Sequence, residues 1–111
     1  MGVGMQIVYL GFAGTSQIES EAATQLVRLE RFSRSIAGCH LAIESIRERP
    51  QVGGTGVPAA DIRSPVFDAR LDLIMRNGDL VPIEHCLNAD PNTAVRAAFD
   101  VAERRLERRP D

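Results

Sequence analysis

The sequence contains no lysine, so all thirteen of its basic side chains are arginines. Fifteen aspartates and glutamates outnumber them, and the formal net charge is −2. This balance excludes a protein that coats nucleic acid through an overall positive charge, and we expect no DNA partner. A polyanion would need a site at which the arginines are locally separated from the acids.

Long hydrophobic runs are also absent. No segment approaches the roughly 18 apolar residues of a membrane span, and the first ten residues lack the basic start and apolar centre of a signal peptide. We therefore expect a cytoplasmic protein without a membrane partner. At 111 residues the chain is long enough for one compact domain and too short for two. Residues 1–4 precede the first strand pattern, and we expect them to be an appendage.

Cysteine is scarce, but each cysteine is adjacent to a histidine, in the pairs Cys39-His40 and His85-Cys86. Two cysteines and two histidines form a zinc ligand set, yet neighbours in a strand point to opposite faces, so each pair offers one side chain to any site. A Cys-His pair could also act in nucleophilic catalysis, but the sequence indicates neither a third group to orient the histidine nor an oxyanion hole. We therefore expect no metal, no cofactor and no catalytic residue. The cysteines should lie on strands separated by a third strand, too far apart for a disulfide.

Hydrophobic periodicity predicts six elements in the order β-α-β-β-β-α. The predicted strands cover residues 5–12, 36–48, 66–76 and 80–87, and the predicted helices cover residues 16–33 and the segment from Pro91 onward. A crossover through the first helix would make the first two strands parallel, and the later strands form an antiparallel meander. The prediction is a two-layer α+β domain with a four-stranded mixed sheet and both helices on one face. Residues 49–65 lack periodicity and read as a flexible loop.

Local signals define the ends of these elements. Ser16 with Glu19 has the spacing of a capping box, and Asp90 before Pro91 is a typical helix start. Asn77-Gly78 between two strands predicts a hairpin with a type I′ turn. Pro82 lacks a donor, so the fourth strand should lie at a sheet edge or carry a bulge.

The third strand alternates apolar and charged residues, which predicts a sheet with one face on the core and one face in water. The charged face would carry Asp68, Arg70, Asp72 and Arg76, with Glu44 from the neighbouring strand. Paired acids could support catalysis, but the arginines among them favour cross-strand ion pairs. We therefore expect the protein not to be an enzyme.

Both predicted helices carry arginines on one flank of the apolar stripe, when residues are placed about 100° apart around the axis. These arginines are Arg28, Arg31 and Arg34 on the first helix and Arg104, Arg105, Arg108 and Arg109 on the second. Asp100, Glu103 and Glu107 lie on the opposite flank of the second helix. The arginines could form an exposed phosphate-binding patch. Alternatively, they could complement helix dipoles, or pair with the acidic flank of the neighbouring helix if the two helices run parallel.

Several short motifs resemble the ribosome hibernation promoting factor family, also called ribosome-associated inhibitors or sigma-54 modulation proteins. They are RLERF at residues 28–32, the NGD hairpin, and AVRAAFDVAERRLERR at the end of the chain. The resemblance covers nearly the whole chain from Met5, in the short form of the family. It places Arg28 and Arg31 at basic positions of the family pattern, and Arg104 and Arg108 at basic positions of the last helix.

The resemblance implies binding to rRNA of the small ribosomal subunit, in the channel that holds messenger and transfer RNA, and inhibition of translation in stressed or stationary bacterial cells. The chain departs from the family in its lack of lysines and in the length of residues 49–65, and it lacks the second domain of long members. The alternative is a divergent protein-interaction domain of the same fold that uses a sheet edge or loop. Whether the domain forms a weak homodimer through the edge that contains Pro82 is left open.

Overall fold

The computed structural model describes residues 2–46 and 66–108, and its elements follow the predicted order. The strands are β1 (Gly4–Leu10), β2 (Ile36–Ile46), β3 (Val66–Met75), β4 (Leu80–Pro82) and β5 (Cys86–Asn88), and the helices are α1 (Ser16–Leu29) and α2 (Pro91–Arg108). A short 3₁₀ turn, Glu30–Phe32, continues α1. The predicted loop at residues 49–65 lies outside the described residues. Among the residues described, neither helix is long and apolar enough to cross a membrane.

The strands form one mixed sheet. β1 pairs with β2 in parallel, and β2 pairs with β3 in the antiparallel sense. β4 and β5 both lie along the far edge of β3, again antiparallel. The parallel pair requires a crossover connection, which α1 supplies. The predicted α+β class and strand order are confirmed.

A single hydrophobic core lies between the sheet and the two helices. Alternate residues of the central strands point into it, and Leu41, Ile43 and Leu71 are each at most 1% exposed. The helices add buried side chains at the predicted spacing: Ile18, Ala22 and Leu29 from α1, and Val95, Ala98, Phe99, Ala102 and Leu106 from α2. On the opposite face of the sheet, His40 and Val8 are exposed.

The predicted strand over residues 80–87 is divided into two. β3 pairs first with β4 up to Pro82 and then with β5 from Cys86, and the register slips by one residue between them. In the interruption, the Ile83 N–H donates to the Leu71 carbonyl at 2.8 Å, and Ile83 is buried in the core. Ile83 therefore still follows the register of β4, and the extra residue comes after it, so that Cys86 lies opposite Ala69. The prediction of an edge position or bulge at Pro82 is therefore confirmed, and that of a continuous strand is wrong.

The hairpin between β3 and β4 is confirmed, but its turn is not the predicted type I′ turn. The Gly78 N–H donates to the Met75 carbonyl at 2.9 Å, and the Met75 N–H donates to the Asp79 carbonyl at 2.8 Å. The loop therefore contains three residues and ends at Gly78, whose φ of 97° favours glycine. The Asn77 side chain accepts the Asp79 N–H at 2.9 Å, which stabilises this longer loop.

The start of α1 is one residue earlier than the predicted cap. Thr15 is extended, and its hydroxyl oxygen accepts the Ile18 N–H at 3.1 Å, so Thr15 and not Ser16 caps the helix. Gly14 precedes it with a φ of 77°, and a Cβ there would lie 2.5 Å from the Tyr9 ring. The helix ends at Leu29 rather than Ser33 because the chain tightens into the 3₁₀ turn.

Two further expectations are corrected by burial. Asp68, expected on the wet face, is only 6% exposed, because it lies against His85, whose Nδ1 is 3.1 Å from its Oδ2. Val3 is 5% exposed and Gly4 begins β1, so these residues belong to the fold instead of forming an appendage.

Candidate nucleic-acid interface

The two helices run parallel and end at the same end of the domain. Their contacts show this directly, since Glu21 of α1 pairs with Arg96 of α2, and further along the same helices Arg31 pairs with Glu107. The partners are 75 and 76 positions apart in sequence. This nearly constant separation shows that the two helices run in the same direction. The arginine-rich last turns of both helices are therefore neighbours.

The flank of α2 that faces α1 is acidic, and its carboxylates bind Arg28 of α1 and Arg31 of the 3₁₀ turn. Arg28 Nη1 donates to Asp100 Oδ1 at 2.7 Å, and the other terminal nitrogen of Arg28 bonds to Glu103. Arg31 bonds to Glu103 Oε2 at 2.9 Å and also to Glu107. The inter-helix pairing that the sequence left open is thus present for Arg28 and Arg31.

We call this set of ion-paired residues the ladder; its members are Arg28, Arg31, Asp100, Glu103 and Glu107. The ion pairs shift the pKa values of some of these side chains. Hydrogen bonds from Arg31 and Arg28 lower the pKa of Glu103, and a hydrogen bond to Asp100 is the main cause that raises the pKa of Arg28. Glu103 is the central member, since its side chain is 19% exposed and accepts from both arginines. Arg31 also lies over the Phe32 ring, with its guanidinium carbon 4.2 Å from the ring centre. These contacts fix the orientation of both arginines.

The other flank of α2 is basic and exposed. It carries Arg104, Arg105 and Arg108, and no carboxylate within residues 2–46 or 66–108 forms an ion pair with any of them. Because Arg105 and Arg108 are in the last turn, the helix dipole favours their charge there. Arg109 lies beyond the described residues. The two flanks of α2 therefore differ in sign and in whether the described structure neutralises them.

Two more arginines lie at this end. Arg34 follows the 3₁₀ turn, is exposed, and has no ion-pair partner among the residues that are described. Arg76 extends from the β3–β4 hairpin to the same end of the domain, and its Nε donates to the Ser33 carbonyl at 2.9 Å. Glu30 and Asp79 are here too, so the net charge of this end is modest and the basic surface is local.

Sequence reasoning assigned Arg76 to the charged face of the sheet and missed its place at the helix ends. Arg70 does pair with Glu44 across the strands, at 3.4 Å, as expected. Arg76 instead leaves the strand at the turn, beside the start of β2. The position of Arg76 before an Asn-Gly turn was the signal, because that turn lies at the end of the sheet where α1 also ends.

The two cysteines lie on different strands, and each is at least partly buried. Cys39 is buried, and burial raises the pKa of its thiol to about 12, while burial also raises the pKa of Cys86. Cys39 pairs with Leu73 and Cys86 with Ala69, so the cysteines are two strands and four residues apart, about 16 Å. This separation is too large for a disulfide. Within residues 2–46 and 66–108, no group of three metal-ligating side chains is assembled.

Comparison with known proteins supports the fold. The chain is similar in structure to the N-terminal domain of Protein Y from Thermus thermophilus, with a TM-score of 0.65 and 18% identity over 97% of this chain and 98% of that one. It is also similar to a ribosomal subunit interface protein from Coxiella burnetii, with a TM-score of 0.63 and 13% identity over 95% and 94% of the two chains. No protein-family model and no curated protein sequence matches the chain. At such identities the likeness shows that the chain shares the fold of these two proteins.

Proposed function

We propose that this protein binds rRNA phosphates of the small ribosomal subunit and thereby inhibits translation in the bacterial cytoplasm under stress or in stationary phase. The observation that carries the proposal is the exposed basic flank of α2, Arg104, Arg105 and Arg108, which no described carboxylate neutralises. The fold is shared with a ribosomal subunit interface protein over nearly its whole length, which supports a ribosomal partner.

The chemistry of the flank suits phosphate. Arginine presents a planar set of donors that can bind two phosphate oxygens at once, and it does not deprotonate at physiological pH. On a helix these donors have fixed spacing, which suits recognition of RNA by shape and backbone more than by base sequence. Arg34 and Arg76, at the same end of the domain, would extend the contact beyond α2.

We assign different parts to the predicted site residues. Arg104, Arg105 and Arg108 would contact phosphates directly, together with Arg34 and with Arg109. Arg28 and Arg31 would mainly hold α1 and α2 in register, because their donors already bond to Asp100, Glu103 and Glu107.

The test is co-sedimentation of the protein with purified small subunits at low salt. Arg104→Gln with Arg108→Gln removes two charges from the exposed basic flank of α2, which we call its outer flank, and should strongly reduce binding. The matched control is Arg70→Gln with Arg96→Gln, which makes the same change in net charge on β3 and on the first half of α2, away from the proposed contact. Binding by the control and loss by the first variant would support the location; equal binding by both would contradict it.

A further inference from the structure

The two edges of the sheet are built differently. The β4–β5 edge consists of two strands of three residues, interrupted by a bulge, and it contains Pro82. The β1 edge is seven residues long, reads GMQIVYL, and contains no charged residue and no proline. Natural proteins usually blunt exposed edges with charges, prolines, bulges or short strands, and only the β4–β5 edge shows these features.

In the described part of the chain, β1 pairs only with β2. Its outer backbone N–H and C=O groups therefore have no strand partner there. Apart from Gln6, the side chains of this edge are largely apolar on both faces of the sheet. Val8 is 47% and Leu10 39% exposed on the open face, and Met5, Ile7 and Tyr9 are only half-buried on the helix side. An added strand with apolar side chains would cover surface on both faces.

The outer flank of α1 adds two carboxylates to this edge. Tyr9 Oη donates to Glu19 Oε2 and the Val3 N–H donates to Glu30 Oε2, each at 3.4 Å, so both acids lie beside β1. Neither carboxylate pairs with a cation among the residues described, whereas Glu21 on the inner flank pairs with Arg96. The two acids are eleven positions apart along α1 and the 3₁₀ turn, about 16 Å, and the two residues that they contact, Val3 and Tyr9, are six positions apart on the helix side of the sheet.

We propose that the β1 edge binds an extended segment of a partner protein by strand addition, and that this segment carries apolar side chains between two basic residues six positions apart, an even spacing that places both on the helix side of the sheet. Backbone hydrogen bonds would supply affinity, and Glu19 and Glu30 would select the basic residues. The surface lies along α1 on the side away from α2, so it is separate from the proposed phosphate contact and does not depend on it.

Charge argues for such a segment over a second copy of this chain. Two β1 strands paired antiparallel about a two-fold axis would bring their α1 helices side by side in opposite directions. Glu19 of one copy would then approach Glu30 of the other at both ends of the interface. Like charges so placed oppose self-association, whereas basic residues at the same positions would be attracted.

The probe is a nine-residue peptide of alternating valine and threonine, acetylated and amidated, with two arginines six positions apart on one face of the strand. A second peptide has glutamines in place of the arginines, and a third is N-methylated at four consecutive central residues. Titration of the isotope-labelled full chain is followed by NMR. The arginine peptide should bind about three- to tenfold more tightly than the glutamine peptide, and the N-methylated peptide should not bind. Hydrogen exchange should slow at the β1 amides that do not bond to β2.

Two variants identify the contacts. Glu19→Gln with Glu30→Gln should remove the difference between the two peptides without changing affinity for the glutamine peptide. Val8→Lys, at an exposed position, should weaken binding of the arginine peptide in a chain that still folds. The proposal is overturned if the N-methylated peptide binds equally, if the β4–β5 amides respond instead, or if sedimentation shows a dimer in which the β1 amides are protected.

Discussion

The inner and outer flanks of α2 carry opposite charges and have different roles in our account. On the inner flank, Asp100, Glu103 and Glu107 are bonded to arginines of α1, so those charges hold the two helices together. On the outer flank, Arg104 and Arg108 extend into solvent, and no carboxylate among the described residues pairs with them. A charged residue near a helix end is thus structural or available for a ligand according to which flank it occupies.

The largest expected effect comes from reversing the outer flank. Arg104→Glu with Arg108→Glu should weaken small-subunit binding by roughly a hundredfold or more, because two charge-assisted hydrogen bonds are lost and two repulsions replace them. The unfolding free energy should change by less than about 1 kcal/mol, since both positions are exposed. Sedimentation at low salt and urea unfolding measure the two effects. A large loss of stability would mean that the outer flank is structural as well.

Reversing one charge of the ladder should reduce stability more than it reduces small-subunit binding. Arg28→Glu would place a third carboxylate beside Asp100 and Glu103 and should cost about 1 to 2 kcal/mol of stability, allowing for solvent screening at a side chain that is 35% exposed. Adding Glu103→Arg should recover part of this loss by restoring a pair of opposite charge. Urea unfolding of the two single variants and the double variant gives the coupling energy. No recovery in the double variant would show that the ladder does not hold the helices.

The inner flank should also give stability a defined pH dependence. Because the pKa of Glu103 is lower in the folded protein than its ordinary value, its contribution is fully present above that ordinary value, near 4.5, and is lost as pH falls through the folded pKa. Glu103→Gln should therefore cost about 1 kcal/mol at pH 7 and progressively less below pH 4.5. Unfolding curves at a series of pH values test this, and a penalty independent of pH would contradict it.

The smallest effect is expected at single exposed positions away from the ladder. Arg105→Gln on the outer flank should leave the unfolding free energy within about 0.5 kcal/mol of that of the unchanged protein. The difference between flanks should then appear when it is compared with Glu103→Gln, which removes one charge from the same helix. If Arg105→Gln destabilises the protein as much as Glu103→Gln does, the two flanks are not distinct in the way we describe.

Much of the fold could be predicted because its signals are local. The alternation along β3 fixed which side chains enter the core, and Asp90 accepts the Asn92 N–H at 3.3 Å, as expected of a helix start. The details that failed depend on contacts between elements. The one-residue slip between Ile83 and Cys86 depends on contacts with β3, and the burial of Asp68 depends on contact with His85, which lies between β4 and β5. Periodicity within one strand contains no information about either contact.

The charged site shows the same limit. Helical periodicity placed Arg28 and Arg31 on one flank of α1 and the acids on one flank of α2, and both alternatives for their use were visible. The choice depends on the rotation of one helix relative to the other, which neither sequence segment specifies alone. Arg76 was missed for a related reason, because its side chain leaves the sheet at a turn whose length was predicted one residue too short.

The salt dependence of small-subunit binding tests the division of labour between the flanks most directly. The logarithm of the binding constant should fall linearly with the logarithm of salt concentration, with a contribution of about 0.7 to 0.9 from each neutralised phosphate. Arg108→Gln, on the outer flank, should flatten the slope by about that amount, and Arg31→Gln, in the inner ladder, should leave it nearly unchanged. Flattening by Arg31→Gln with no change for Arg108→Gln would contradict the account.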